Sequence, residues 1–146
     1  MINTNFTNCL IASEDMKVPF HDIDPAAVVW HGRYFKYFEI VRCKLLEDVD
    51  YGYAEMMNSG YIWPVVDTSV RYVRPLQIDQ NFTTVAALRE WEMRLVIDYK
   101  ILGEDDTIYT KARTVQVPID LDTRELRLGS PDVLINSVEK RLEALR

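Results

Sequence analysis

Residues 18–42 read VPFHDIDPAAVVWHGRYFKYFEIVR, and the two halves of this stretch have different patterns. The first half places Pro25 among closely spaced polar residues, and because proline disfavours a continued strand ladder, we expect a loop there. From Gly32 to about Val49, apolar residues recur at steps of three and four, which is the spacing of one helix face. That face consists of Tyr34, Phe38, Val41, Leu45 and Val49, widened by Phe35, Tyr37 and Leu46. The stretch therefore predicts a loop followed by a long amphipathic helix.

After this helix, the sequence changes to alternating β-branched and aromatic runs that are interrupted where turn residues cluster. Short spacers separate the later runs, and such spacers favour antiparallel hairpins. The predicted strands cover residues 62–73, 80–90, 94–102 and 107–117. With a short strand at 16–21 before the helix, this order predicts an α+β layout in which one antiparallel sheet packs on the helix.

The C-terminal part is predicted to add one sheet edge and one helix. A brief edge segment is expected at residues 123–128. Ser130 then stands at an N-cap position with Pro131 as the first helical residue, and the apolar spacing continues from Leu134 to Leu145.

Composition limits the function classes. The chain has 146 residues, of which 48% are hydrophobic, and its net charge of −6 argues against a nucleic-acid surface. No stretch approaches the ~20 apolar residues of a membrane span, and Cys9 and Cys43 form neither a metal-ligand spacing nor a disulfide framework. We expect a loose N-terminal arm over 1–15 and a single domain over 16–146, in a soluble cytoplasmic protein without nucleic-acid or membrane partners.

The quoted stretch contains an ordered set of residue types: Asp-x-Asp followed by small residues, an apolar triplet, a histidine, then Tyr-Phe and an acidic residue on the helix. The positions are Asp22, Asp24, Pro25, Ala26, Val28, Val29, Trp30, His31, Tyr34, Phe35 and Glu39. This order resembles the 4-hydroxybenzoyl-CoA thioesterase family and its acyl-CoA thioesterase relatives. The resemblance implies the hotdog fold, an antiparallel sheet wrapped around a long central helix. It also implies an acyl-CoA or acyl-carrier-protein thioester as substrate, no cofactor, and a homodimer or dimer of dimers with the active site between subunits.

The physics of the loop agrees with this chemistry. The loop precedes a helix, so the unpaired backbone N–H groups near His31 and Gly32 form a site for the oxyanion that develops when a thioester is attacked. A nearby carboxylate can act as nucleophile or base, and the resemblance assigns that role to Asp24, by covalent or water-mediated attack. The alternative is that Asp22 and Asp24 cap turns, and of the two Asp22 is the better structural candidate because Pro and small residues follow only Asp24.

Further site residues follow from the resemblance. The family has His or Tyr at the position of His31, so its backbone N–H is the transferable contribution, while its imidazole could orient substrate or water. With His21 as the only other histidine, a metal site is not expected. Substrate contacts are expected from Trp30, from Glu39, which could instead only pair with Arg42 on the helix, and from Arg94.

The chain departs from the family pattern at two places, and two functions other than thioester hydrolysis are open. Relatives often have glycine at Ala27, and they carry a basic cluster where residues 91–94 read Trp-Glu-Met-Arg, which leaves coenzyme A or a carrier protein as the thiol half. A hotdog dehydratase or hydratase would use His31 with a carboxylate, but its His-Phe-Pro-Gly motif is replaced by residues 31–34, His-Gly-Arg-Tyr. A non-catalytic module that binds an acyl carrier is the other alternative.

Overall fold

A computed structural model describes residues 2–146 of the chain. The elements in chain order are β1 (Ile11–Lys17), α1 (Tyr34–Asp48), α2 (Tyr53–Asn58), β2 (Tyr61–Ile62), β3 (Val65–Tyr72), β4 (Asn81–Glu90), β5 (Leu95–Leu102), β6 (Ile108–Gln116), β7 (Ile119–Asp120) and α3 (Asp132–Ala144). Five strands form one antiparallel sheet in the order β1-β4-β5-β6-β3, and β2 pairs with β7. With α1 packed on this sheet, the α+β hotdog prediction is confirmed. Within the described residues, no helix is long and apolar enough to span a membrane.

The predicted apolar face of α1 is buried, as its spacing indicated. Tyr34, Phe38, Val41 and Leu45 belong to the core that α1 shares with the inner face of the sheet. Phe35 is the exception, because its side chain is 45% exposed. The 100° periodicity places it at the margin of the face, where the sheet does not reach.

The strand predicted at 62–73 is divided by Pro64 into β2 and β3. Proline has no N–H to donate, which explains the break. The edge strand predicted at 123–128 is wrong. The last strand, β7, lies earlier in the chain, and within the predicted segment Leu126 forms only an isolated bridge, with Ile119. The N-cap prediction for Ser130 is also wrong: its hydroxyl donates to the carbonyl of Trp91, so it ties down the β4–β5 hairpin rather than the helix.

The N-terminal segment is more ordered than its composition indicated. The strand predicted at 16–21 is wrong for most of its length: β1 covers Ile11–Lys17, where it pairs with β4, and Phe20–Asp22 form a 3-10 turn. Within the predicted loose arm, Met1 lies outside the described residues, and the Phe6 ring packs against the sheet, with the Lys100 ammonium 4.5 Å from the ring centroid. Backbone pairing and this cation–π contact order the segment although its sequence is polar.

The outer face of the sheet, opposite α1, contains a buried carboxylate. Asp98 is fully buried and accepts hydrogen bonds from Arg89 Nε at 2.9 Å and from Arg113 Nε at 2.6 Å. Arg89 also donates to the backbone carbonyls of Asn3 and Asn5. This ion network therefore joins the N-terminal segment to three strands.

Replacing Asp98 with alanine would leave two guanidinium groups without their carboxylate. We expect Asp98→Ala to lower the free energy of unfolding by about 3–5 kcal/mol, measured by urea denaturation. The exposed Asp15, which accepts one bond from Thr83, is the control, and Asp15→Ala should cost less than about 1 kcal/mol. Equal losses in the two variants would contradict a structural role for the network.

Candidate active site

Residues 22–30 form a short hairpin at the end of the sheet where β3 finishes. The Trp30 N–H donates to the Asp22 carbonyl at 2.9 Å, and the Asp24 N–H donates to the Val28 carbonyl at 2.8 Å. The chain reverses through Asp24, Pro25, Ala26 and Ala27, with the Ala27 N–H bonded to the Asp24 carbonyl at 3.0 Å. Aspartate and proline favour the first two positions of such a turn, so the sequence specifies this reversal.

Ala27 has a left-handed backbone, with φ of 66°. A turn followed by one left-handed residue is a common three-residue hairpin loop, and glycine is the residue that adopts this conformation at least cost. Glycine at this position would adopt the same backbone geometry without strain. In this chain alanine adopts the same left-handed conformation, and its methyl group makes that conformation strained.

The hairpin is anchored to the connection between β3 and β4. The Val29 N–H donates to the Leu76 carbonyl at 2.8 Å, and the hydroxyl of Tyr72, the last residue of β3, donates to the His31 carbonyl at 2.7 Å. The sequence did not predict this contact of Tyr72. Its only signal was an aromatic residue at a strand end, which does not specify a partner.

Asp24 is positioned by its own turn. Its Oδ1 accepts the Ala26 N–H at 2.8 Å, as a turn-capping aspartate does. Among the described residues, no side chain or backbone donor contacts Oδ2. The capping role and a chemical role are therefore compatible, because one oxygen orients the carboxylate and the other remains available to a ligand.

Asp22 has a different environment. Its side chain is buried, and its Oδ2 accepts a hydrogen bond from the Tyr37 hydroxyl at 2.7 Å. The Arg33 Nε lies 3.6 Å from Oδ1. Burial, reinforced by the bond to Asp22, raises the pKa of Tyr37 well above its ordinary value, so the phenol is a permanent donor. Asp22 thus fixes the hairpin to α1, in agreement with the structural role expected for it.

The helix start leaves donors without partners. Residues 31–33 form a single 3-10 turn before α1, and no side chain caps it. Within residues 2–146, the N–H groups of His31 and Gly32 reach no protein acceptor. A β-carbon at Gly32 would lie 2.5 Å from the Trp30 indole, so this ring lies directly across the turn. The exposed His31 imidazole packs between Trp30 and Tyr72.

The structure brings only part of the predicted site together. Asp24, Trp30, His31 and Gly32 lie on the hairpin and its exit. Glu39 lies about two helical turns further along α1, where it pairs with Arg42. Arg94 lies at the opposite end of the sheet, paired with Glu90 at 2.8 Å. No group of three or more His, Cys, Asp and Glu in the described residues is arranged to hold a metal ion.

Comparisons with known proteins agree on one group. Residues 18–140 match the family described as the Thioesterase-like superfamily. The chain is 22% identical over 114 residues to the putative acyl-CoA thioesterase YneP of Bacillus subtilis, covering 77% of this chain and 83% of that protein. It is 23% identical over 108 residues to the acyl-CoA thioester hydrolase YbgC of Escherichia coli O157:H7, covering 72% and 79%.

Solved structures share the fold. A DHNA-CoA thioesterase from Staphylococcus aureus superposes with a TM-score of 0.79 at 23% identity, covering 92% of each chain. The Staphylococcus aureus protein SAV2348, solved in complex with CoA, gives a TM-score of 0.82 at 16% identity, covering 92% of this chain and 85% of that one. At these identities the likeness establishes the hotdog fold.

The strain at Ala27 gives a stability prediction. We expect Ala27→Gly to raise the free energy of unfolding by about 1 kcal/mol, because glycine removes the left-handed penalty. Thermal and urea denaturation measure this change. The control is Ala26→Gly, where φ is not positive and glycine should destabilise by about 0.5–1 kcal/mol. Destabilisation by both variants would contradict the assigned backbone strain.

Proposed function

The chain belongs to the Thioesterase-like superfamily, and we propose that it hydrolyses acyl-CoA thioesters with Asp24 as the catalytic carboxylate. One observation supports this most directly: a carboxylate with one available oxygen lies on the same hairpin that leads into an uncapped helix start. Hydrolysis of a thioester needs both features, an oxygen nucleophile or base and donors for the oxyanion. Two curated relatives are named for acyl-CoA hydrolysis, which supports the substrate class.

In the proposed reaction, the thioester carbonyl oxygen accepts hydrogen bonds from the His31 and Gly32 N–H groups. Asp24 then attacks the carbonyl carbon, or it removes a proton from a water that attacks. In the first route the thiolate leaves from the tetrahedral adduct and takes up a proton, and the mixed anhydride that remains on Asp24 is hydrolysed by water. In the second route the thiolate leaves from the tetrahedral intermediate. Both routes release a carboxylate and a free thiol.

The surrounding residues keep these groups in place. The Tyr72 hydroxyl holds the His31 carbonyl, which restricts rotation of the peptide that carries the Gly32 N–H. The Trp30 ring lies against one side of the turn, where a β-carbon at position 32 would meet it. The His31 imidazole, exposed beside these rings, is proposed to contact the substrate rather than to act as the base.

The assembly is proposed to be a homodimer formed through β3. Both β1 and β3 are sheet edges, but β1 presents charged residues at 14, 15 and 17, which oppose edge pairing. The β3 edge carries fewer charged residues, at 67 and 71 and of opposite sign, and it exposes Val65, Val66 and Tyr72. Pairing of β3 with its copy about a two-fold axis would extend the sheet.

This dimer would complete the site. Antiparallel pairing of β3 places the partner's Tyr72 end, with its hairpin, beside the Val65 end of this protomer. Arg94 lies at that same Val65 end, as Leu95 pairs with Gln116 and Gln116 with Val65. Substrate contacts expected from Arg94 would thus serve the partner's hairpin. Its charge suits the phosphates of coenzyme A, a thiol carrier of the cytoplasm, where we place the protein.

The catalytic role of Asp24 is tested by Asp24→Asn. Asparagine retains the oxygen that caps the turn but is neither a base nor an effective nucleophile, so we expect thiol release from acyl-CoA to fall by about 10²–10⁴-fold. The unfolding midpoint should not change. Asp79→Asn, at an exposed loop aspartate that also has a positive φ, is the control and should keep full activity. An unchanged rate of thiol release in Asp24→Asn would contradict the assignment of Asp24 as the catalytic carboxylate.

The dimer is tested by placing lysines at the middle of β3. We expect wild-type protein to elute with a mass near twice 17.1 kDa by light scattering, and the Thr68→Lys/Ser69→Lys variant to be a monomer without thiol release. Lysine at Ser13 of β1, the other edge strand, should change neither property. A dimeric, active β3 variant would exclude this interface.

A further inference from the structure

Three cationic residues lie side by side across the outer face of the sheet. Lys100 of β5 pairs with Lys111 of β6, and Lys111 pairs with Arg71 of β3. Like charges directly opposite each other on neighbouring strands are destabilising. The Lys100 ammonium is compensated within the chain, because it donates to the Thr4 carbonyl and lies over the Phe6 ring. Arg71, exposed at the sheet edge, has no carboxylate partner in the described part of the chain.

Asp67 is the other charged residue of β3. Its side chain is exposed, and within residues 2–146 it has no ion-pair partner. The pairing of β3 with β6 is regular from Asp67 to Arg71, so these two side chains lie on the same face of the sheet. Four residues along a strand cover about 13 Å, so the two charges cannot meet within one chain. The β3 edge therefore presents a carboxylate and a guanidinium that need external partners.

A two-fold axis at the β3 edge would bring these charges together. The midpoint between Asp67 and Arg71 is Ser69. When the axis passes through this residue, positions equally far from it lie opposite each other in the antiparallel pair. Asp67 of each protomer then faces the partner's Arg71, and the dimer contains this pair twice. The small Ser69 side chains meet at the axis, where they leave room for the strands to pair.

Other registers do not combine the charges. A shift by an odd number of residues would place the core face of one protomer beside the outer face of its partner. A shift by two residues would place Ser69 opposite Asp67 or opposite Arg71, and no opposite charges would face each other. A shift by four residues would place Asp67 opposite its own copy, or Arg71 opposite its own copy. Charge complementarity therefore selects the register with Ser69 on the axis.

In this register the partner also reaches the candidate active site. Tyr72, whose hydroxyl donates to the His31 carbonyl, lies opposite the partner's Val66, where the register of β3 shifts. Both side chains are exposed in the single chain. Their contact would cover the end of β3 that holds the peptide carrying the Gly32 N–H.

We propose that β3 recognises a second copy of this chain in one register, with Asp67 of each protomer bound to the partner's Arg71 across an axis at Ser69. The inference rests on the dimer described under the proposed function and deepens it, because it specifies the residues that select the partner. The partner is a second copy because the same edge supplies both members of the ion pair.

The test reverses the two charges separately. Asp67→Arg places two arginines opposite each other at both contacts, and Arg71→Asp places two aspartates there. We expect each variant to have a dimer dissociation constant at least about tenfold higher than wild type, measured by analytical ultracentrifugation. An equimolar mixture of the two variants should form a heterodimer of near-wild-type affinity, because every facing pair again has opposite signs. Asp15→Arg, on the other edge strand, is the control and should keep the wild-type constant.

A misfolded variant cannot imitate this result, because mixing it with another variant would not restore the dimer. Wild-type affinity in both single variants, or no heterodimer in the mixture, would overturn the register. A monomeric wild-type protein would overturn it together with the proposed dimer. These outcomes do not depend on hydrolysis: dimers that respond to the substitutions as expected but release no thiol would overturn the proposed hydrolase activity alone.

Discussion

The hydrogen bond between the Tyr37 hydroxyl and the buried Asp22 carboxylate joins the hairpin to α1, and the candidate site depends on it. Without this bond, Asp22 would be a buried carboxylate with only Arg33 and the exposed His21 nearby. The same hairpin positions Asp24 at its tip and delivers the chain into the uncapped helix start. The distance between the Asp24 carboxylate and the N–H donors thus depends on Asp22, a structural aspartate two residues before the proposed catalytic one.

A second constraint is the incomplete sheet. One chain contains the hairpin at one end of the sheet and Arg94 at the other, so no single protomer presents both to one substrate. The unpaired β3 edge offers the means of combining them. Pairing two copies through this edge would satisfy backbone groups and assemble each site from both chains.

The helix, the sheet and the Asp24 turn could be predicted because each depends on local patterns. The face of α1 followed from its spacing, and the Asp24 turn followed from aspartate and proline in their preferred positions. The strand break at Pro64 was visible as a proline, but the alternating pattern on both sides obscured it. Ser130 resembled an N-cap because a serine before a proline and an apolar helical pattern is typical of a helix start. Its actual partner, the Trp91 carbonyl, is distant in sequence and could not be identified from these neighbours.

The hairpin and the helix start are proposed to perform hydrolysis together rather than binding alone. The most direct measurement is release of free thiol by the purified wild-type protein from a panel of short acyl-CoA thioesters, with binding followed in parallel by calorimetry. We expect saturable, repeated turnover with one free thiol for each carboxylate formed. Saturable binding of the same thioesters without any thiol release would contradict the proposed hydrolysis and would identify the protein as an acyl-binding module.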